Sequence, residues 1–357
     1  EPIPFDLKRV LKILTISNQA ALTLFYQPDQ VTAVLLKNGK CSVRKVAVSK
    51  DTSSALRSYQ QNLQKSRPDP KLFDPSTALQ LDADKLVSGE LLAEGLKASS
   101  LIIVPHGPLH VLPWAGLSFN GTRLFEFCPI TILPNLSCLP SLRADLPESP
   151  CVSLIGAPDY QSLTGLEPLR LGDEEIQIVK EIYSSTDRVV DEVYTQEYAT
   201  EEHFWQLAKH QRSGGNIFHI VCHANFVTGD PMNSGLLLAD AKVDAAEIAR
   251  AQIRYAEVVL SACSTGYRPV EVQEVALAGD DILGLPGAFL ESGVLSLLVS
   301  IPKVRDDIGL QFMTIYHENR ADGLSPMHAL QATQKNMLVD SFTAPHLWIG
   351  FTMYGCH

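Results

Sequence analysis

The pattern of apolar and polar positions predicts strands first, then helices, then an alternation of the two. Residues 20–50 alternate in polarity around the turn sequences Gln27–Gln30 and Lys37–Lys40, which predicts an antiparallel meander. Residues 53–97 repeat apolar positions at helical spacing, with a break rich in Pro and Asp. Short, almost continuously apolar runs follow, and such runs are typical of buried strands. They cover Leu101–Pro105, Cys151–Ile155, Phe218–His223, Glu257–Cys263 and Leu295–Ile301.

Beyond about residue 150 the apolar runs are separated by amphipathic helices. These helices are predicted at residues 172–183, 200–209, 245–251, 282–293 and 307–317. Strands that alternate with helices form a mostly parallel sheet with helices on both faces. A proline-rich segment with linker composition, residues 140–150, separates this region from the meander. We therefore predict an α/β protein in which a smaller α+β half, residues 1–145 with the meander, helices and one strand, precedes a half formed by residues 146–357.

Two of the apolar runs end at a chemically reactive side chain. Phe218–His223 ends at an imidazole, and Glu257–Cys263 ends at a thiol that the small residues Ser264–Gly266 follow. As parallel strands they deliver His223 and Cys263 to the carboxyl-terminal edge of the sheet, where α/β folds bind ligands. An imidazole that accepts the proton of a thiol turns it into a nucleophile, and N–H groups at such a turn suit an oxyanion. A core cysteine is the alternative, but the turn and the matching histidine strand favour catalysis.

Other polar residues near these strand ends have simpler interpretations. His219 lies inside the apolar run, where we expect a hydrogen-bonded core histidine. Cys222 alternates to the face opposite His223 and is expected to serve in packing. The two histidines are four residues apart but lie on β sequence without the Glu of a zinc protease, so no metal site is predicted. A loop is expected to begin at Ala224.

Composition narrows the classes of partner. The 357 residues are 45% hydrophobic and 19% charged, which gives ample material for a core, and the formal charge of -11 argues against direct binding of nucleic acid. The seven cysteines form no close pairs, which favours a reduced, cytoplasmic setting without disulfides. No apolar run reaches membrane-spanning length, and no signal peptide is evident. Because the chain does not begin with Met, we expect a fragment or a processed product.

Ordered blocks along the chain resemble the CHAT-domain peptidases of the caspase-like clan, which also includes caspases, legumain, gingipains and separase. Leu101–Leu117 is similar to the family block IVPDGPLHRLPFAAL, Phe218–His223 to HFACHG, and Val259–Gly266 to VLSACQTG. Further similar blocks are Ser234–Asp240, Ile282–Ser300, Ser325–Gln334 and Leu347–Gly355. The resemblance extends from about residue 20 to the end of the chain. It implies a caspase-like fold in which residues 146–357 form the catalytic half.

The resemblance implies a cysteine endopeptidase that cleaves a protein substrate through a Cys–His dyad and an acyl-enzyme, without a cofactor. It assigns Cys263 as the nucleophile and His223 as the imidazole, and it assigns the backbone N–H groups of Ala224 and Cys263 to the oxyanion hole. The family usually has Gly at the position of Ala224, which keeps the N–H group but adds a methyl group. Ser300–Val304 also departs from the usual SLWPV, so the aromatic wall near the substrate cleft is missing.

The resemblance also suggests where the substrate side chain binds. In CHAT and separase-like sequences acidic residues follow the strand after the nucleophile, and here these are Asp306 and Asp307. A carboxylate in a partly dry pocket pairs well with Arg or Lys. We therefore predict cleavage after a basic residue, with Asp306 favoured over Asp307. The alternative is that both acids only begin a helix, since acidic residues stabilise a first turn.

Two other classes of function remain open. One is a catalytically silent caspase-like scaffold that binds protein partners, against which the intact Cys263 and His223 argue. The other is a thiol acyltransferase, which would need an acyl-carrier or nucleotide pocket that the sequence does not show.

The sensor segments that usually precede a CHAT domain are absent from these residues, so we predict regulation by an upstream domain or partner. The long segment 267–281 is expected to border the cleft and to change on activation.

Overall fold

The fold is described from a computed structural model and is built on one large sheet. The structure describes residues 5–65, 67–139, 151–160, 166, 168–186, 189–209, 217–225, 227, 230–253, 255–262, 271–272, 275–276, 284–339 and 343–355. None of the helices in these ranges combines the length and the hydropathy needed to cross a bilayer.

The first part of the chain contains the predicted meander and the helices that follow it. Its strands are β1 (Gln19–Gln27), β2 (Gln30–Lys37), β3 (Lys40–Ala47), β4 (Ser100–Val104), β5 (Ser118–Phe119), β6 (Thr122–Arg123) and β7 (Ile130–Ile132). Its helices are α1 (Leu7–Ile16), α2 (Lys50–Gln64), α3 (Pro75–Ala78), α4 (Gly89–Gly95) and α5 (Leu124–Phe127). Strands β1, β2 and β3 pair antiparallel in succession, so the meander predicted from the alternation of polarity is confirmed.

The second part alternates strands and helices as its apolar runs predict. Its strands are β8 (Val152–Pro158), β9 (Val190–Gln196), β10 (Ile217–Val221), β11 (His223–Asn225), β12 (Gly235–Leu237), β13 (Lys242–Asp244), β14 (Glu257–Ser261), β15 (Glu271–Val272), β16 (Val275–Ala276), β17 (Ser296–Ser300) and β18 (Phe351–Gly355). Its helices are α6 (Gly172–Ser184), α7 (Glu201–Ala208), α8 (Ala245–Arg250), α9 (Leu285–Ser292), α10 (Asp306–Ala321) and α11 (Pro326–Val339). Helix α7 begins where predicted, because the Thr200 side chain accepts a hydrogen bond from the N–H of His203.

Eleven of the described strands form the main sheet in the order β3-β2-β1-β4-β7-β18-β17-β14-β10-β8-β9. Only the pairs β3–β2, β2–β1 and β18–β17 are antiparallel, so the sheet is mostly parallel, as predicted. Strand β18 lies between β7 and β17 and thereby joins strands from both parts of the chain. The first apolar run of each part thus contributes to one continuous sheet.

Alternation along β4 shows that helices cover both faces of the sheet. Leu101 and Ile103 belong to the large apolar cluster that includes residues of α2 and α4. Ile102 and Val104 belong to a second cluster that includes Val10 of α1. Since successive side chains of a strand point to opposite faces, the two clusters lie on opposite sides of the sheet. The expectation of helices on both faces is confirmed.

Outside the main sheet, β11, β12 and β13 form a small antiparallel ribbon. Ala224 and Asn225 pair with Leu236 and Gly235 in this ribbon. The expectation of a loop that begins at Ala224 is therefore wrong for the first residues after His223. The polar, glycine-containing sequence gave no strand signal of its own, and the pairing partner that stabilises β11 comes from a later segment.

Candidate active site

The carboxyl-terminal ends of β10 and β14 lie side by side. The two strands are parallel, with Val221 opposite Ser261, and both are almost entirely buried. Their runs of Val, Ile and Leu suit strands that are covered on both faces. His223 follows Val221 by two residues, and Cys263 follows Ser261 by two residues. Cys263 itself lies outside the described residues, as does most of the segment 267–281.

His223 is partly buried and is held by Tyr160, which follows the end of β8. The Tyr160 hydroxyl accepts a hydrogen bond from the backbone N–H of His223 at 2.8 Å and donates one to the carbonyl oxygen of Leu237 at 3.3 Å. The tyrosine and imidazole rings are stacked, with centroids 5.2 Å apart and planes inclined by 30°. Burial, with a smaller effect of Cys222, raises the pKa of the Tyr160 hydroxyl well above its usual value. The hydroxyl therefore keeps its proton and can donate to Leu237.

Cys222, next to the candidate imidazole, is an unreactive thiol. Its side chain is buried, and burial raises its pKa to about 12. A thiol in that state is almost never a thiolate at neutral pH, and the thiolate is the nucleophile. The expectation that Cys222 serves in packing is confirmed. The cysteines in the described part of the chain, Cys41, Cys128, Cys138, Cys151 and Cys222, are free of disulfides.

A pocket opens at the strand ends, between the start of α6 and the start of α10. Its wall contains the ends of β10 and β14, the chain around Gly172 and Gly309, and three residues with charged side chains. The lining residues are Leu169, Leu171, Gly172, Glu175, Val221, Cys222, Ser261, Ala262, Ser300, Val304, Arg305, Asp306, Gly309 and Phe351. The pocket therefore touches Ala262, the residue directly before Cys263.

The structure distinguishes the two acidic residues at the start of α10. Asp306 lines the pocket and makes no ion pair with another described residue. Asp307 does not line it and is 53% exposed, with its carboxylate paired to the guanidinium of Arg305; the Nε–Oδ1 distance is 3.0 Å. The hydrogen bond from Arg305 holds the pKa of the Asp307 carboxyl below its usual value. Both acids also occupy the first turn of α10, so the helix-start interpretation applies to both.

A third carboxylate, Glu175 of α6, also lines the pocket but is only 5% exposed. Its Oε1 lies 3.1 Å from Nε2 of His219, although the contact lacks hydrogen-bond geometry. His219 Nδ1 is 3.1 Å from Nε2 of His317, and His317 Nδ1 is 2.8 Å from the Tyr183 hydroxyl. A buried polar chain thus connects the pocket wall to the side of the sheet where α6 and α10 pack together.

The protonation states of this chain follow from its contacts. Burial, then the nearby His219 and Arg320, lower the pKa of His317 well below its usual value, so His317 is neutral. With Tyr183 as the donor to His317 Nδ1, the neutral His317 donates from Nε2 to His219 Nδ1, and Nε2 of His219 is the ring nitrogen that faces Glu175. The expectation that His219 is a hydrogen-bonded core histidine is confirmed, because it is fully buried and bonded to His317.

Ala224, a candidate donor to the oxyanion, lies in β11 opposite Leu236, directly after the imidazole.

The described residues contain no group of three or more His, Cys, Asp or Glu side chains that could hold a metal ion.

The sequence interpretation missed two residues of this site. Glu175 had a sequence signal, because it shares the apolar stripe of α6 with Val179 and Tyr183 at intervals of four residues. An acidic residue on such a stripe needs a buried partner. Tyr160 had no signal, since its role depends on how β8 ends beside β11.

Comparison with known proteins agrees with this geometry. Two crystal structures of the Saccharomyces cerevisiae separase–securin complex match 97% of this chain at 13% identity, with TM-scores of 0.64 and 0.58. The chain spans less than a third of the separase chain, 30% and 31% in the two structures. The Arg-specific cysteine proteinase gingipain R (RgpB) of Porphyromonas gingivalis matches 85% of this chain and 73% of its own at 7% identity, with a TM-score of 0.51.

These likenesses show the fold, which is the caspase-like α/β fold that the sequence blocks imply. No curated protein sequence matches the chain significantly. The family model of the CHAT domain matches residues 72–356, which is most of the chain. The chain therefore belongs to the CHAT domain family.

Proposed function

We propose that this chain is a cysteine endopeptidase in which Cys263 is the nucleophile and His223 accepts its proton. The thiolate attacks the carbonyl carbon of the substrate peptide bond, and the imidazolium returns the proton to the leaving amine. Water then hydrolyses the acyl-enzyme with His223 as the base. The backbone N–H groups of Ala224 and Cys263 are the proposed donors to the oxyanion.

The observation that carries this proposal is the register of β10 and β14. Val221 and Ser261 are paired neighbours, and each precedes its reactive residue by two positions. Cys222 and Ala262, which directly precede His223 and Cys263 in the sequence, also line the same pocket. The neighbouring Cys222 has a strongly raised pKa, which leaves Cys263 as the thiol suited to nucleophilic attack at this edge of the sheet.

The pocket beside these strand ends supports a preference for a basic residue before the cleaved bond. Asp306 and the buried Glu175 both line it, whereas the cation in its wall, Arg305, is paired with Asp307. We propose that Asp306 is the carboxylate that pairs with a substrate Arg or Lys, and that Asp307 contributes less.

The division of the chain into two halves is part of the proposal. The described residues that line the pocket all follow residue 145, which supports residues 146–357 as the catalytic half and residues 1–145 as the non-catalytic half. The solved relative contains a second protein, securin, in complex with separase. We propose that this chain, too, binds a protein partner or an upstream domain that regulates it, in addition to its protein substrate.

Active-site labelling tests the proposal directly. The chain is treated with two acyloxymethyl ketone probes of equal length, one that ends in Arg and one that ends in Asp. The Arg probe is expected to form a covalent adduct at Cys263, identified by peptide mass spectrometry, and Cys263→Ala should abolish the adduct. Cys222→Ala is the matched control, and it should label like the parent chain.

Three results would count against the proposal in different ways. An adduct at Cys222 would show that the wrong thiol was assigned. Faster labelling by the Asp probe would contradict the basic pocket but leave the peptidase intact. Absence of labelling by both probes, in a chain that binds a protein partner, would favour the catalytically silent scaffold.

A further inference from the structure

Tyr160 occupies the position from which the candidate imidazole can be fixed. Its hydroxyl lies between two backbone segments, bonded to the N–H of His223 at 2.8 Å and to the carbonyl oxygen of Leu237 at 3.3 Å. His223 and Leu237 are partners in the ribbon of β11 and β12. The phenol therefore bridges the two strands at the residue that carries the imidazole.

The tyrosine ring makes a second, independent contact with the same residue. It stacks on the imidazole with a centroid distance of 5.2 Å and an interplanar angle of 30°. One side chain thus fixes both the backbone of His223 and the plane of its ring. Tyr160 is itself only 5% exposed, so packing restricts its own rotamers.

The end of β8 is shaped in a way that brings Tyr160 to this position. Gly156 lies opposite Val221, and a Cβ atom at residue 156 would lie 2.6 Å from the Val221 carbonyl oxygen. The next residue, Ala157, adopts a φ of 48°, which is unfavourable for a residue with a side chain. The pairing of β8 with β9 is irregular between Gly156 and Pro158. Backbone strain of this kind persists where the surrounding structure requires it and often accompanies functional sites.

We propose that Tyr160 is the positioning residue of His223, and that the bend at Gly156–Pro158 exists to deliver it. The phenol holds the imidazole at the carboxyl-terminal edge of β10 without contacting the substrate. Small displacements of a reacting group reduce turnover strongly, so the effect should appear in kcat. This inference rests on the proposed function, because it assumes that His223 is the catalytic imidazole.

The test compares two tyrosine variants with a matched control. Tyr160→Phe keeps the stacked ring and removes both hydroxyl hydrogen bonds, and Tyr160→Leu removes the ring as well. Tyr183→Phe removes a hydroxyl that is also buried but bonds to His317. With a fluorogenic peptide that ends in Arg, we expect Tyr160→Phe to lower kcat about tenfold and Tyr160→Leu about a hundredfold, both with KM almost unchanged. Tyr183→Phe should keep kcat within about twofold.

A structural measurement on the parent chain provides an independent test. The amide hydrogen of His223 should be protected from exchange in the parent, and it should exchange faster in Tyr160→Phe but not in Tyr183→Phe. A loss of kcat in Tyr160→Phe no larger than in Tyr183→Phe would overturn the inference, as would an unprotected His223 amide in the parent. If His223→Ala retains turnover, the proposed function itself has failed; if it abolishes turnover and Tyr160→Phe does not lower it, only the role of Tyr160 has failed.

Discussion

Two histidines that lie four residues apart, His219 and His223, have contrasting surroundings. His219 lies inside β10, is fully buried, and contacts Glu175 and His317 from two helices. His223 lies two residues beyond the strand, is partly exposed, and is held by Tyr160. The first histidine is enclosed by the sheet and by α6 and α10, whereas the second stands where the chain leaves the sheet.

This comparison explains why only one histidine is suited to chemistry. His219 is fully buried, with its ring nitrogens facing Glu175 and His317, so it cannot reach a substrate. At the end of the strand, the sheet has already fixed the backbone, and the side chain needs only local support. Strand β10 therefore encloses His219, and the chain just beyond its end gives His223 access.

Replacing each histidine in turn gives the largest expected contrast. His223→Ala and Cys263→Ala should each lower kcat/KM by at least about a thousandfold, and the double variant should be no slower than either one. Their thermal unfolding midpoints should stay near that of the parent. A clearly slower double variant would mean that the two residues do not act as one unit.

His219→Ala should instead reduce stability. It leaves a cavity and removes the partner of the buried Glu175 and His317, which should lower the free energy of unfolding by about 3 kcal/mol. Denaturant titration of the purified variant measures this loss, with Tyr183→Phe as the milder control for the same polar chain. If His219→Ala kept full stability and lost turnover, the assignments of the two histidines would be reversed.

Variants of Asp306 and Asp307 test whether only the aspartate that lines the pocket affects substrate preference. Asp306→Asn should reduce kcat/KM for peptides with Arg before the cleaved bond by about tenfold, because the substrate cation would lose its carboxylate partner in the pocket. Asp307→Asn, matched in chemistry and one residue away, should change it by less than about threefold because Asp307 pairs with Arg305. Profiling with a peptide library measures both, and equal effects would show that the pocket does not discriminate between them.

The buried polar chain that contains His317 should make the free energy of unfolding depend on pH. Burial keeps the folded-state pKa of His317 well below 6.5, while the unfolded chain binds a proton near pH 6.5. As the pH falls below about 6.5, the unfolded state gains a proton that the folded state cannot accept. The free energy of unfolding should therefore decrease by up to about 1.4 kcal/mol for each pH unit from this group, and it should not depend on His317 above about pH 7.5.

Urea titrations between pH 5 and pH 8, on the parent chain and on His317→Gln, isolate that contribution from the carboxylates. The difference in slope between the two proteins should disappear at the alkaline end. An identical slope in both proteins would show that His317 takes up a proton in the folded state.

The smallest effect is expected for a change of Ala224, the residue after His223. Ala224→Gly restores the residue that the family usually has and leaves the backbone N–H in place, so kcat should rise by less than about tenfold. A loss of turnover larger than tenfold would mean that the methyl group of Ala224 packs in a way that the site requires. Steady-state kinetics with the same fluorogenic peptide decides between the two.

Much of the fold could be predicted from local pattern because each element carries its own signal. The run Ile217–Val221 is apolar throughout and suits a strand buried on both faces, and the alternation in Gln19–Lys37 suits a meander. The order of these elements, together with the blocks around Val259, was sufficient to identify the family. The candidate residues His223 and Cys263 were predicted for the same reason, since each follows a strong strand signal.

The sequence by itself thus determined most of the strands and helices, and it placed His223 directly after one of those strands. Only the tertiary structure decided which neighbours the side chains near this strand end meet. Asp306 and Asp307 are alike in sequence, yet one lines the pocket and the other pairs with Arg305. Tyr160 contacts His223 although 63 residues separate them. The pattern of apolar and polar residues reflects the repeat of a single strand or helix. These contacts depend instead on how the ends of separate strands and helices pack against each other.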